Sequence, residues 1–216
     1  MEFISKAIQQ YAEKHSDIEP DYLYQLNRYT HLNVLKPRML SGQLQGRFIA
    51  LISQLIKPEF ALDIGTYTGY SALCIAEGLT PNGTVHTLDN NEELMHFFND
   101  YLTKTPFQNQ VKIHCGDAID SIQKLNQEIP HWDLVWIDAD KENYLNYYKN
   151  TIDKLRSGGV IMADNVLWSG KIIEEIDKKD KDTLALKEFN DYVLSDERVN
   201  KVLLPIRDGI MMILKK

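Results

Sequence analysis

From residue 60 onward the chain repeats one arrangement: a short apolar run, a polar or glycine-bearing turn, then a stretch with helical periodicity. The runs occupy residues 60–64, 85–88, 111–115, 134–137 and 160–163. Near-continuous apolar runs of this length, spaced by helices, read as parallel strands buried on both faces. Right-handed crossovers then wind them into one sheet with helices on either side. The tail breaks the pattern, because runs at 202–206 and 210–214 are separated only by Arg207-Asp208-Gly209. Asp-Gly favours a tight turn, so these two are expected to pair antiparallel. The expected fold is α/β, a Rossmann-like doubly wound seven-stranded sheet, mostly parallel, with an antiparallel C-terminal hairpin.

The first part of the chain has a different period. Ile4, Ala7, Ile8, Tyr11 and Ala12, with Phe3 before them, recur at helical spacing, as do Leu44, Phe48, Ile49, Leu51, Ile52, Leu55 and Ile56. The second segment stops before Pro58, and residues 21–40 read as a helix running into a loop. At 216 residues a single domain is the simplest organisation, with 1–57 as an N-terminal helical cap and 58–216 as the α/β core. The apolar stripe of the first helix lies outside the alternating core and is expected to serve a homodimer or to pack on its own domain.

Charge narrows the partners. The net charge of −7 opposes a general nucleic-acid grip, which needs a basic excess, and favours a small-molecule substrate. No apolar run approaches the ~20 residues of a membrane helix, and the N-terminus does not read as a signal peptide. The two cysteines, Cys74 and Cys115, are far apart in apolar contexts and are expected to be reduced core residues of a cytoplasmic protein.

In a sheet of this kind ligands bind beyond the carboxyl ends of the strands. The turn after the first strand is Asp63-Ile64-Gly65-Thr66-Tyr67-Thr68-Gly69-Tyr70-Ser71. It lacks the middle glycine of a dinucleotide fingerprint, so a pyrophosphate has a poor cradle. That disfavours a nicotinamide-dependent oxidoreductase, the alternative from another enzyme class. Asp89 ends the second strand, where a carboxylate can accept from two ribose hydroxyls, and Asp117-Ala118 follow the third, where they can border a base. Each feature alone has a plainer explanation as a helix cap. In order on consecutive strands, they describe a nucleoside pocket without phosphates.

The segment Asp63-Ile64-Gly65-Thr66 through Gly69-Tyr70-Ser71, with Asp89, resembles the S-adenosylmethionine site of class I methyltransferases. Trp136-Ile137-Asp138-Ala139-Asp140-Lys141 with Asn143-Tyr144, then Met162-Ala163-Asp164-Asn165-Val166-Leu167-Trp168-Ser169-Gly170, resembles the cation-dependent O-methyltransferases. That family includes the caffeoyl-CoA and catechol enzymes and small bacterial relatives, and the resemblance spans residues 39–214. It implies S-adenosylmethionine as cofactor, held by Met39, Ser41, Asp63, Gly65, Tyr67, Gly69, Ser71, Asp89, Asp117, Ala118 and Asp138. It also implies an acceptor pocket lined by Asp140 and Trp168, with Trp168 either stacking on a flat ring or simply packing.

Asp138 and Asp164-Asn165 close neighbouring strands, which lie about 4.8 Å apart. Two carboxylates and an amide oxygen, with no cysteine or histidine beside them, suit a hard divalent cation: Mg²⁺ first, Mn²⁺ or Ca²⁺ otherwise. The alternative is that both acids cap the helices that follow. Lys141 stands on the same rim, where a nearby cation favours the neutral amine that a general base needs. The expected reaction is methyl transfer to a hydroxyl of a small aromatic diol. A tRNA 5-hydroxyuridine O-methyltransferase is the alternative within the class, and a nucleoside-binding regulator the non-enzyme one. Lys36, Arg38 and Arg47 are expected as a basic cluster near the acceptor mouth, either a solvated edge or a contact for an acidic acceptor or tRNA phosphates. The charged stretch 171–182 reads as a solvated helix face or loop.

Overall fold

A computed structural model describes residues 4–216. Phe3, the first residue of the N-terminal stripe, lies outside the described residues. Three helices come first: α1 (Lys6–Lys14), α2 (Asp21–Asn33) and α3 (Gly42–Ile56). The alternating part follows as β1 (Phe60–Ile64), α4 (Tyr70–Ala76), β2 (Thr84–Asp89), α5 (Glu92–Leu102), β3 (Val111–Cys115), α6 (Ala118–Glu128), β4 (Trp132–Ile137), α7 (Tyr144–Ile152) and β5 (Leu155–Ala163). Then come α8 (Lys181–Ser195), β6 (Val199–Leu204) and β7 (Ile210–Lys215).

The seven strands form one sheet in the order β3-β2-β1-β4-β5-β7-β6. β1 through β5 pair in parallel, and β7 lies antiparallel between β5 and β6. Alternation sends Leu62, Val135 and Ile137 to one face, against Ile122 of α6, Tyr144 and Tyr148 of α7 and Phe189 of α8. Ala61, Leu134 and Trp136 point to the other, against α4, Phe98 of α5 and Ile49 of α3. Both faces being covered explains the uninterrupted apolar runs. The strand order reverses between β1 and β4, so their carboxyl ends splay apart and leave the crevice in which such folds bind ligands.

In the N-terminal helical part, Leu23 and Leu26 of α2 and Ile49 of α3 are fully buried in one of the two cores. Two expectations change. β6 ends at Leu204, short of the expected 206: Pro205 has no N–H for the ladder, and Val166 and Leu167 donate to the carbonyls of Gly209 and Asp208 at 3.2 and 2.9 Å, so residues 205–209 form a longer loop. Cys74 is buried as expected, but Cys115, on the edge strand β3, is exposed; both are free thiols. The charged stretch 171–182 runs from the end of a short 3-10 turn (Trp168–Ile173) through a loop over 174–180 into the first residues of α8, tied by an ion pair of 2.7 Å between Lys171 and Asp180. Among the described residues no helix is long and apolar enough to cross a membrane.

Candidate active site

The crevice is a single cavity of about 1020 Å³ at the carboxyl ends of β1, β2, β4 and β5. Gly65 and Tyr67 line one half, with Asp89, Asp117 and Ala118 beside them and Met39, Ser41 and Ser71 bordering the same space. Asp138, Asp140, Lys141, Asp164, Asn165 and Trp168 line the other half. Two expected residues stand behind the wall. Asp63 is fully buried under the floor, where Thr87 donates to its Oδ2 at 2.6 Å. Gly69 opens α4, and a side chain there would strike the Phe98 ring at 2.1 Å, so it is needed for packing.

The first half is shaped by backbone. Gly65 has φ +104, and a Cβ on it would lie 2.0 Å from the carbonyl oxygen of Asp138, so only glycine lets the ends of β1 and β4 meet. Its N–H and that of Thr66 donate to the Leu88 carbonyl at 2.9 and 3.1 Å. The Tyr67 N–H donates to Asp89 Oδ2 at 2.8 Å, and Asn91 N–H to Oδ1 at 3.0 Å. A carboxylate has about four lone-pair sites, so each oxygen keeps capacity for a ribose hydroxyl. The Tyr67 hydroxyl donates to the Leu35 carbonyl at 3.0 Å, fastening the segment that carries Met39. Asp117 caps α6 by accepting from Asp120 N–H at 3.0 Å, so its capping role and its place in the wall coexist.

The second half is shaped by side chains. Lys141 is 9% exposed, and its Nζ donates to Asp138 Oδ1 at 3.0 Å and to the Tyr144 hydroxyl at 2.7 Å. Tyr144 in turn donates to the Asp164 carbonyl at 3.0 Å. The Trp168 ring lies beside the amine, its centroid 5.7 Å from Nζ. Asp164 is buried; Gln45 Nε2 donates to its Oδ2 at 2.6 Å and Asn165 N–H to its Oδ1 at 2.8 Å. Burial, with the charge of Asp138 nearby, pushes the Asp164 carboxyl above the usual range. Asp140 accepts from Asn143 Nδ2 at 2.6 Å and from the Tyr147 hydroxyl. Of the expected basic cluster, Lys36 and Arg38 border the cavity. Arg47 does not: it pairs with Glu77 at 2.5 and 2.8 Å between α3 and α4.

Arg207 also borders this half, and the fully buried Gln45 and Tyr144 stand behind it; the sequence by itself gives none of the three a role. Gln45 had a signal, since it shares a four-residue spacing with Ile49 and Ser53 on the buried stripe of α3. A polar group on such a stripe needs a partner. Arg207 had no local signal.

Asp138, Asp164 and Asn165 offer hard oxygen atoms at adjacent strand ends, and two neighbouring carboxylates with one raised is an arrangement a cation would relieve. They fit a divalent ion with an amide as third ligand; among the described residues no cluster of three or more His, Cys, Asp or Glu is arranged to hold one.

Comparison with known proteins agrees with this geometry. The O-methyltransferase family matches residues 13–216. The chain belongs to that family. It is accordingly an S-adenosylmethionine-dependent enzyme of methyl transfer to oxygen, which removes the oxidoreductase and regulator alternatives. Among its relatives, a probable caffeoyl-CoA O-methyltransferase of Dictyostelium discoideum is 32% identical over 98% of this chain and 92% of that one. The caffeoyl-CoA O-methyltransferase of Zinnia elegans is 33% identical over 90% and 82%. The Bacillus cereus O-methyltransferase, solved in complex with SAH, superposes with a TM-score of 0.90 at 27% identity over 97% of each chain. An SAH-bound methyltransferase of Podospora anserina gives 0.87 at 28% identity over 97% and 94%.

Proposed function

We propose that this O-methyltransferase methylates a hydroxyl of a catechol-like aromatic diol, with a divalent cation, Mg²⁺ foremost, held by Asp138, Asp164 and Asn165. The observation that carries the reading is the Asp138–Lys141–Tyr144–Asp164 cluster facing the Asp89 half of the same cavity. When bound, S-adenosylmethionine supplies the methyl group and the cation favours ionisation of the acceptor hydroxyl. Lys141 takes the hydroxyl proton at Nζ. Asp138 and Tyr144 aim that nitrogen, and burial beside Trp168 keeps water from competing. Trp168 offers a face for a flat acceptor ring, and Asp140 with Asn143 a polar edge. Alignment of acceptor and donor in one cavity contributes most of the rate.

Excess chelator should abolish methyl transfer to catechol. Mg²⁺ or Mn²⁺ should restore it and Zn²⁺ should do so poorly, since no nitrogen or sulfur ligand stands in the set. Full activity in chelator refutes the cation.

A tRNA 5-hydroxyuridine acceptor is the second reading, supported by Lys36 and Arg38 at the cavity rim. Methylation of undermodified tRNA, steeply weakened by salt, would favour it over a catechol. We further propose a homodimer. No residue of α1 is buried, Ile8 and Tyr11 are 61% and 65% exposed, and Leu51 and Leu55 of α3 are 55% and 72% exposed. These exposed apolar side chains are the surface on which a second copy would pack. A sedimentation mass near 25.0 kDa at micromolar concentration would refute the dimer.

A further inference from the structure

Arg207 takes part in none of the steps above, yet it spans the two halves of the cavity. It sits in the loop between β6 and β7 with φ 50, a left-handed backbone that non-glycine residues rarely adopt. From there its Nη1 donates to the carbonyls of Leu40 at 3.1 Å and Ser41, and to Gln45 Oε1 at 2.7 Å. Gln45 is fully buried, and its other end, Nε2, donates to Asp164 Oδ2.

The chemistry of the two ends is decisive. A carboxamide turned by half a revolution keeps its shape but exchanges an acceptor for a donor. Guanidinium only donates, so Gln45 must present oxygen to Arg207 and therefore nitrogen to Asp164. With Arg207 removed, Oε1 is left buried without a donor, and the carboxamide is no longer pinned at the end opposite Asp164. The same loop also braces the far side of the site. Asp208 accepts the Ser169 N–H through its carboxylate and the Leu167 N–H through its carbonyl at 2.9 Å. Residues 206–209 thus stand between segment 40–41 of the donor half and the loop that carries Asn165 and Trp168.

We infer that Arg207 is a positioning residue for methyl transfer: it acts through Gln45 to orient the carboxylate of Asp164, and it separately holds segment 40–41 against the donor. Asp164's part in the chemistry rests on the function proposed above, so the test has one readout that depends on turnover and one that does not.

Arg207→Met, Gln45→Met and the double variant are compared by kcat on catechol and by calorimetric SAH affinity. Each single variant should lose about 10–100-fold in kcat, the range for a misplaced site group. The double should lose no more than the worse single, because the two residues act in series. SAH affinity should fall several-fold in Arg207→Met and stay unchanged in Gln45→Met. Arg207→Lys, which still donates, should recover part of kcat. Losses that multiply in the double variant, or a wild-type kcat in Arg207→Met, would overturn the inference. The second readout is the Gln45 carboxamide signal of ¹⁵N-labelled protein with SAH, identified by its disappearance in Gln45→Met. It should move in both Arg207→Met and Asp164→Asn. A signal unmoved by either overturns the relay whatever the acceptor is, whereas a moved signal with no catechol turnover in wild type faults only the acceptor assignment.

Discussion

The two halves of the cavity are built by different means. The donor half is a set of backbone turns at consecutive strand ends: Gly65 against the Asp138 carbonyl, Gly65 and Thr66 N–H on Leu88, Tyr67 N–H on Asp89. The acceptor half is made of side chains from five places: Gln45 on α3, Asp138 and Lys141 after β4, Tyr144 on α7, Asp164 after β5, and Arg207 in the hairpin loop. Backbone turns are local and neutral, so one residue changes them little unless it is the glycine. A buried cluster of charges depends on every member, since removing one leaves another unpaired. The acceptor half should therefore be the more brittle in function.

The largest effect expected follows directly. Asp164→Ala should bring methyl transfer below detection while SAH affinity stays at the wild-type value by calorimetry. A parallel loss of SAH binding would mean that the halves are not separable. Lys141→Ala should come next, with kcat down by about 10²–10⁴, the usual range for a positioned base. Part of that loss should return at higher pH, where the acceptor hydroxyl ionises unaided. An unaltered rate would leave Lys141 as only the counter-charge of Asp138.

The donor half should respond on affinity. Asp89→Ala forfeits hydrogen bonds to a charged group at roughly 1.5–3 kcal/mol each, so S-adenosylmethionine should bind at least tenfold more weakly. Asp89 also holds the Tyr67 turn, so circular dichroism must show a retained fold for the loss to count as ligand contact. Unchanged affinity would remove Asp89 from the ribose.

The smallest expected effect concerns the floor between the halves. Burial raises the Asp63 carboxyl to about 7, against the hydrogen bond from Thr87, and the charges of Asp138 and Asp89 add to the rise. A carboxyl raised on folding binds its proton more tightly in the native state. Its contribution to stability is fully present below the unfolded value of 3.8 and is lost as pH climbs through about 7. Thermal melts should thus fall between about pH 4 and 7 in wild type and fall less steeply in Asp63→Asn, where the raised Asp164 carboxyl still contributes a slope. Equal slopes in the two proteins would show that Asp63 ionises at no cost.

What the amino-acid order determined by itself was whatever rests on local spacing. The apolar runs, their separation by helical periods and the Asp-Gly near the end were enough for a doubly wound sheet with a terminal hairpin. The motif from Asp63 to Ser71 and the acids after β4 and β5 were enough to name most of the cavity wall, because strand ends are adjacent in space wherever strands are adjacent in the sheet. Tertiary structure decided the rest. It moved Asp63 and Gly69 behind the wall, drew Arg47 away to Glu77, and exposed Cys115 on the edge strand. It also brought Arg207 and Gln45, 162 residues apart in the chain, to 2.7 Å. Periodicity reports which face of an element is buried, but not which far-off donor will meet a buried acceptor. That pairing depends on how separate elements pack, and each such bond forms only once they have done so.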